Sequence, residues 1–544
     1  MATSMLTAAC RIAPLRWAQR AAALLCLAAA ALHAAEMPTA LEAGPYLTGL
    51  AKDRITISWQ THEPTTGGVE CLVAPEEWRF GDSARAARVH HVTLTGLPPA
   101  TRCSYRVLVG PEATPFFTFR TAPAKPEPVR FAVYGDTRSN PKYHARVAQA
   151  VRAHRPAFVL HTGDYATDGR DRAQWVQQFF APAAELLREC PILPVMGTHE
   201  RNFPAFYDYF APPRDLVWLD RVRGDPLAAR AGGAWFAWSY GEVDFFILNC
   251  YLPTKADSPQ VRWLADALAA SRGAWRIAAI HEPFFSSGEH GGAEKLRETL
   301  LPLLLQGGVD VVFAGHEHLY ERTVALSDGD EATGHALVEI VAGGGGVKLH
   351  KVRPGGPWSA YATSQRHFCI VGVEGDALVV TAYSETHEPI DTLVLAKRGG
   401  RRDFGPTVPV TALEFLSAAK RFSSFSFPNI RAAAQSKEFS FSVSNPYHSE
   451  LRGELTWKAA GRGWTLEPAE QSVRVPPGGK ATVKFKAMFD PEAEGSAAKP
   501  APEAVMTSGG RTVTVPAFNL GAVPKPRERK PADPDDLLLD DDDE

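Results

Sequence analysis

Val309-Asp310-Val311-Val312-Phe313-Ala314-Gly315-His316-Glu317-His318-Leu319-Tyr320-Glu321-Arg322 is the stretch on which the reading of the chain turns. The apolar run from Val311 to Ala314 has the character of a strand buried in a parallel sheet, Gly315 permits a sharp exit, and His316 and His318 follow at once. Residues two apart in extended backbone project to the same side, so two imidazoles are offered together at a strand end. That pairing suits a metal site or two adjacent metals. A surface turn that happens to hold two histidines is the competing reading, and the other strand ends decide between them.

Four further apolar runs end in residues of the same chemistry: Phe131 to Asp136, Phe158 to Asp164, Ile192 to His199-Glu200, and Ile277 to His281. Open α/β sheets gather their sites at the carboxyl ends of strands. The blocks Gly135-Asp136-Thr137-Arg138, Gly163-Asp164-Tyr165-Ala166-Thr167-Asp168-Gly169, Gly197-Thr198-His199-Glu200, His281-Glu282-Pro283-Phe284 and Gly315 to Arg322 follow in that order. Together they resemble the calcineurin-like metallophosphoesterase superfamily, and within it the purple acid phosphatase-like branch.

The resemblance implies hydrolysis of a phosphate ester at two metal ions, iron, manganese or zinc, since Asp and His ligands suit all three. Asp164 is then the shared anion, with Asp136 and His318 on the first metal and His281 and His316 on the second. His199 would sit beside the phosphate with Glu200 orienting it, and His290, in Phe284-Phe285-Ser286-Ser287-Gly288-Glu289-His290, would give the leaving group its proton. Two positions depart from the family pattern. Thr198 stands where an asparagine ordinarily ligates the second metal, and Thr167 where the purple enzymes place a tyrosine. The wider superfamily has a histidine at the position of Arg138, which is suited to contacting phosphate. His144, on the helix after the first motif, is the preferred substitute ligand, with His161 as the alternative.

Around this core the 544-residue chain is long enough for several domains at about 100 to 200 residues each. Hydrophobic residues make up 45% and charged residues 22%, an ordinary globular balance, and no basic block points to nucleic acid. Residues 1–35 carry Arg11, Arg16 and Arg20, no acid, and an apolar run too short to span a bilayer, the pattern of a signal peptide. Export to the periplasm or outside the cell follows, with no stable membrane span after cleavage. Five cysteines remain beyond that segment, and Cys71 and Cys103 are candidates for a disulfide. Short alternating strands over 41–123 suggest a β-sandwich, which the resemblance makes fibronectin type III-like. Alternating strands and helices over 129–398 suggest the catalytic two-sheet α/β core, with helices at 141–153, 171–189, 258–270 and 293–305. Strict alternation over 408–520 suggests a second, Ig-like sandwich, and 524–544 is an acidic tail that cannot bury enough apolar surface to fold.

The expected whole is multidomain: an α/β core flanked by all-β domains. The expected function is an exported phosphomonoesterase of acid phosphatase type. A phosphodiesterase, or a binding protein with impaired or single-metal chemistry, stands as the alternative because of Thr198 and Thr167.

Overall fold

The computed structural model describes residues 36–210, 233, 235–329, 334–398, 401–427, 434–458, 461–494 and 501–518. The signal peptide expected at 1–35 and the acidic tail expected at 524–544 lie outside the described residues. Among the described residues no helix is long and apolar enough to cross a membrane. The chain divides into two compact units, one holding the chain up to Leu326 with His335–Thr407, the other Ser327–Gly334 with the chain from Val408 onward.

The first unit opens with two antiparallel sheets. One pairs Leu41–Thr48, Arg54–Thr65 and Ala87–Thr95; the other is built on Glu77–Asp82, Gly67–Ala74 and Arg102–Val109. Every second residue of Arg102–Val109 is buried, which is why Cys103, Tyr105 and Val107 join Ile57, Trp59 and Val69 in one core. Cys71 and Cys103 lie on paired strands of the second sheet, but both are free thiols. Cys71 is in register with Tyr105, so the two cysteines sit diagonally rather than opposite.

The core that follows is two sheets face to face. One runs in the order Ile192–Pro194, Val159–His161, Val129–Tyr134, His367–Glu374, Ala377–Ser384, Pro389–Arg398 and Arg401–Asp403; its first three strands are parallel. The other carries Val243–Ile247, Trp275–Ala279, Val311–Ala314 and Ala336–Ala342 as consecutive parallel neighbours. Strands buried on both faces read as continuous apolar runs, and Val243–Ile247 and Val311–Ala314 are buried at every position. Between the sheets, Phe131 stacks on Phe158 at 4.8 Å, and Phe158 meets Trp238 at 4.8 Å and Phe245 at 5.5 Å edge-on.

Helix Pro141–Ala153 starts where Asn140 accepts from the backbone N–H of Tyr143 and proline occupies the first turn, and it buries Val147, Ala148 and Val151. Pro259–Ala270 and Glu294–Gln306 occupy two of the other expected helical stretches. The expected continuous helix over 171–189 is broken instead. Arg172–Gln174 is a single turn, Trp175–Phe180 winds as a π-helix, and Ala184–Leu187 resumes after Pro182. Trp175, Phe179 and Phe180 must all be buried against Tyr165 and Tyr209, and Pro182 has no N–H to continue the ladder.

In the second unit, Val410–Ser417 is an α-helix and Ala418–Ser424 a 3₁₀ helix, ahead of the strand Gln435–Ser444. Helix and strands share one core, in which Phe415 and Phe422 meet Phe439, Phe485 and Met506. Its three-stranded sheet pairs Gln435–Ser444 and Trp464–Glu467 with Lys480–Phe489, and its four-stranded sheet contains Glu470–Val475, Leu451–Lys458, Glu503–Ser508 and Arg511–Pro516.

Phe158→Ala removes the ring that four aromatic neighbours, Phe131, Trp238, Tyr240 and Phe245, close upon between the core sheets. It is expected to cost about 3–5 kcal/mol of unfolding free energy, read from the urea midpoint at unchanged slope.

Candidate metal centre

Three of the strand ends deliver a ligand-type residue in the left-handed backbone region: Asp136 at φ 56°, Asp164 at 59° and His316 at 69°. Non-glycine residues occupy that region at a cost of about 1–3 kcal/mol and do so where the surroundings over-determine them. Here each follows a glycine, and two glycines at strand ends, Gly315 and Gly197, leave room for the carboxylates. A Cβ on Gly197 would stand 2.2 Å from Asp164 Oδ1, and one on Gly315 2.5 Å from Asp136 Oδ2.

The outcome is one buried cluster. Ligand atoms of Asp136, Asp164 and His281 all lie within 4.8 Å of one another. His281 donates through Nδ1 to the carbonyl of Thr162 at 2.8 Å, leaving Nε2 3.3 Å from Asp164 Oδ1. His318 donates through Nδ1 to the carbonyl of Lys348 at 2.8 Å, and its Nε2 lies 3.8 Å from Asp136 Oδ1. In both cases a backbone carbonyl sets the tautomer that turns Nε2 toward a carboxylate. The backbone N–H of His316 donates to both oxygens of Asp136, at 3.1 and 3.0 Å, and its ring lies 5.3 Å from that of His281.

Asp164 collects further partners. The N–H of His199 donates to its Oδ1 at 3.0 Å, Thr198 Oγ1 lies 3.5 Å from the same oxygen, and Arg138 Nε lies 3.4 Å from Oδ2. Thr198 Oγ1 is also 3.4 Å from His281 Nε2. His199 donates through Nδ1 to the carbonyl of Thr167 at 2.6 Å, and its Nε2 stands 3.8 Å from Asp164 Oδ2. His290 joins from the loop before helix Glu294–Gln306, its ring 4.8 Å from that of His316.

Two expectations fail on orientation. His144 turns away: its Nδ1 bonds the carbonyl of Gln178 at 2.8 Å, its Nε2 faces Tyr134 Oη at 3.4 Å, and its ring stacks on Phe179. His161, the alternative, is committed to Thr137 Oγ1 at 3.2 Å and the N–H of Gly163 at 3.2 Å. Glu200 does its work on backbone, accepting the N–H groups of Asp164, Tyr165 and Gly197 at 3.0, 3.0 and 2.9 Å. It thereby ties two strand ends together. Thr167 Oγ1 bonds Gln178 Oε1 at 3.1 Å, and the same amide oxygen accepts the N–H of Ser139 at 3.0 Å. His350, which sequence reasoning passed over, stacks on His318 with ring centroids 3.8 Å apart. It lies 34 positions beyond His316 in a stretch without a strand-end signature, so only the fold brings it near.

The donor set fits a cation. Burial pushes the Asp136 carboxyl well above the usual range, with the Asp164 charge adding to the effect. For Asp164 burial acts in the same direction, yet the positive charges of His281, His199 and Arg138 outweigh it and hold the carboxyl well below its ordinary value. Burial disfavours the charged form of His281, but Asp164 and Asp136 raise it to about 10. A proton on His281 thus supplies positive charge beside these acids.

Residues 129–320 match the family model for the calcineurin-like phosphoesterases. They form a calcineurin-like phosphoesterase domain. The chain is similar to an uncharacterized protein of Mycobacterium tuberculosis, 28% identical over 369 residues covering 55% of this chain and 68% of that one. It is also similar to purple acid phosphatase 21 of Arabidopsis thaliana, 28% identical over 288 residues covering 51% of this chain and 64% of the plant protein. The chain thus spans about two thirds of the length of these relatives. In fold it is similar to a purple acid phosphatase from yellow lupin seeds, with a TM-score of 0.55 at 16% identity over 65% of this chain and 74% of that one. The matched range contains Asp136, Asp164, His281, His316 and His318, the five residues expected as ligands from the strand-end blocks.

Metal uptake by this domain is expected to release a proton from His281 at pH 7, because only the neutral imidazole can ligate. Calorimetry in buffers of different ionisation enthalpy measures it; a buffer-independent heat would show that His281 is already neutral.

Proposed function

We propose that the chain is an exported, metal-dependent phosphoester hydrolase acting chiefly on phosphate monoesters. The observation that carries this reading is the buried Asp136–Asp164–His281 group, with His199, Thr198 and Arg138 converging on the same carboxylate. Asp136, Asp164 and His318 would hold a first metal ion, and Asp164, His281, His316 and the Thr198 hydroxyl a second. Bound there, such ions lower the pKa of a coordinated water and neutralise phosphoryl oxygens.

The chain's own residues account for the remainder. His199 is fixed at Nδ1 by the Thr167 carbonyl, which turns its Nε2 toward Asp164, where it would meet a phosphoryl oxygen. The Arg138 guanidinium, beside Asp164, adds positive charge where a phosphate dianion must sit. His290 holds a proton at the loop edge of the site and passes it to the departing alkoxide. Export rests on the arginine-bearing, acid-free leader of residues 1–35.

Purified protein supplied with manganese, iron or zinc is expected to hydrolyse p-nitrophenyl phosphate, and Asp164→Asn is expected to abolish turnover. No turnover with any of these metals, or a fully active Asp164→Asn protein, would sink the reading.

The binding-protein alternative draws on the Thr167 and Thr198 departures, and the neutral hydroxyl of Thr198 stands beside both His281 and Asp164. Thr198→Asn is expected to tighten the weaker of the two metal equilibria about tenfold to a hundredfold, the scale of a stronger polar contact. Metal titration of both proteins decides it: equal affinities would mean the threonine already ligates adequately.

A further inference from the structure

Glu317 lies between His316 and His318, is fully buried, and has no place in the chemistry described so far. Its carboxylate gathers three consecutive backbone amides from across the site: Glu289 N–H at 2.9 Å to Oε2, His290 N–H at 2.7 Å and Gly291 N–H at 2.6 Å to Oε1. A fourth donor is His350 Nδ1, 2.8 Å from Oε2. Burying a carboxylate is costly unless it is saturated with hydrogen bonds, and here the donors are the backbone of the segment that carries His290. The fit is close: a Cβ on Gly288 would fall 2.0 Å from Glu317 Oε2.

Two other buried carboxylates hold the preceding part of this loop in the same manner. Glu339 accepts the N–H groups of Phe284 and Phe285 at 2.6 and 2.9 Å. Glu321 accepts Ser287 N–H at 2.6 Å and the hydroxyls of Ser286 and Ser287 at 3.1 and 2.7 Å. Those two attach the loop to strands. Glu317 differs in lying directly between His316 and His318, whereas Glu321 and Glu339 sit on the strands Tyr320–Thr323 and Ala336–Ala342. Its partner His350 completes the link, stacked 3.8 Å from the His318 ring and lying edge-on, 5.2 Å away, to His290.

We infer that Glu317, braced by His350, is a positioning residue that sets His290 against the metal-ligand segment so that its proton reaches the leaving oxygen. This rests on the hydrolase reading and on His290 as proton donor. One carboxylate then ties the donor's distance from the site to the backbone that presents His316 and His318, instead of leaving it to a free loop.

The test compares the metal-loaded wild-type protein with Glu317→Ala, Glu317→Gln, His290→Ala and the Glu317→Ala/His290→Ala double variant. Each is assayed on an aryl phosphate whose leaving group needs no proton and on an alkyl phosphate whose leaving group does. Loss of general-acid help costs about a hundredfold or more in kcat where the proton matters. Glu317→Ala should show that loss on the alkyl ester and little on the aryl ester, with KM and metal content unchanged. Glu317→Gln, which keeps one acceptor oxygen in place, should recover part of the rate and guards against a misfolded alanine protein. The double variant should be no worse than His290→Ala. Equal losses on both esters, loss of metal, or losses that multiply in the double variant would overturn the inference. Hydrogen exchange separates this from failure of the hydrolase reading. Amides 289–291 should be protected in the wild type and exposed in Glu317→Ala, while 284–287 stay protected. A wild type that turns over neither ester refutes the hydrolase reading and the proton-transfer role together. Unprotected wild-type amides refute the positioning alone.

Discussion

Two carboxylates share one buried pocket at the ends of neighbouring strands, and much of the molecule is arranged around that electrostatic demand. Like charges about 4 Å apart repel by roughly 4 kcal/mol even at an effective dielectric of 20, and Asp136 and Asp164 are both almost fully buried. The fold meets the demand with imidazoles, a guanidinium and backbone amides brought from several separate segments. His281 sits where it can exchange a proton for a metal ion. The left-handed backbone at Asp136, Asp164 and His316 is the conformational cost of delivering these groups to one point, and the aromatic packing between the two core sheets holds them there.

Much of this was legible in the sequence because the decisive signals are local. A strand that stops at Asp or His, three times directly after a glycine, carries its own chemistry with it, and the ends holding Asp136, Asp164, His281 and His316 come together in the fold. Thr198 and Thr167 were readable as departures for the same reason. What could not be read depends on packing across the chain. His144 has a ligand-capable side chain one helix away from the site, but the carbonyl of Gln178 and the Phe179 ring turn it into the outer core. Glu200 looked like a partner for the neighbouring histidine and instead fastens backbone from two strand ends. The helix expected over 171–189 broke because its aromatic side chains all had to point inward, a requirement that overrides helical propensity.

Beyond the core, the two β-rich regions keep the simple alternation that made them recognisable, and the structure adds what alternation does not encode. Residues 410–424 coil into helix because their apolar positions close the same core as the strands that follow. In the N-terminal region, Tyr105 Oη reaches the carbonyl of Arg188, and Trp238 Nε1 reaches the carbonyl of Leu50. The first sandwich is therefore hydrogen-bonded directly to the phosphoesterase domain.

The π-helical turn at Trp175–Phe180 makes chain length itself a functional variable. Its extra residue, marked by the Ala181 N–H reaching back to the carbonyl of Val176, places Gln178 where one amide oxygen serves both Ser139 and Thr167, and where its backbone carbonyl receives His144. Deleting a single residue from that turn would restore ordinary helical winding and draw Gln178 away from its partners. The loops after Asp136 and Asp164 would lose their common tether without any change to a ligand. Losing one residue from this outer segment would thus disturb the site as surely as substituting one of its histidines.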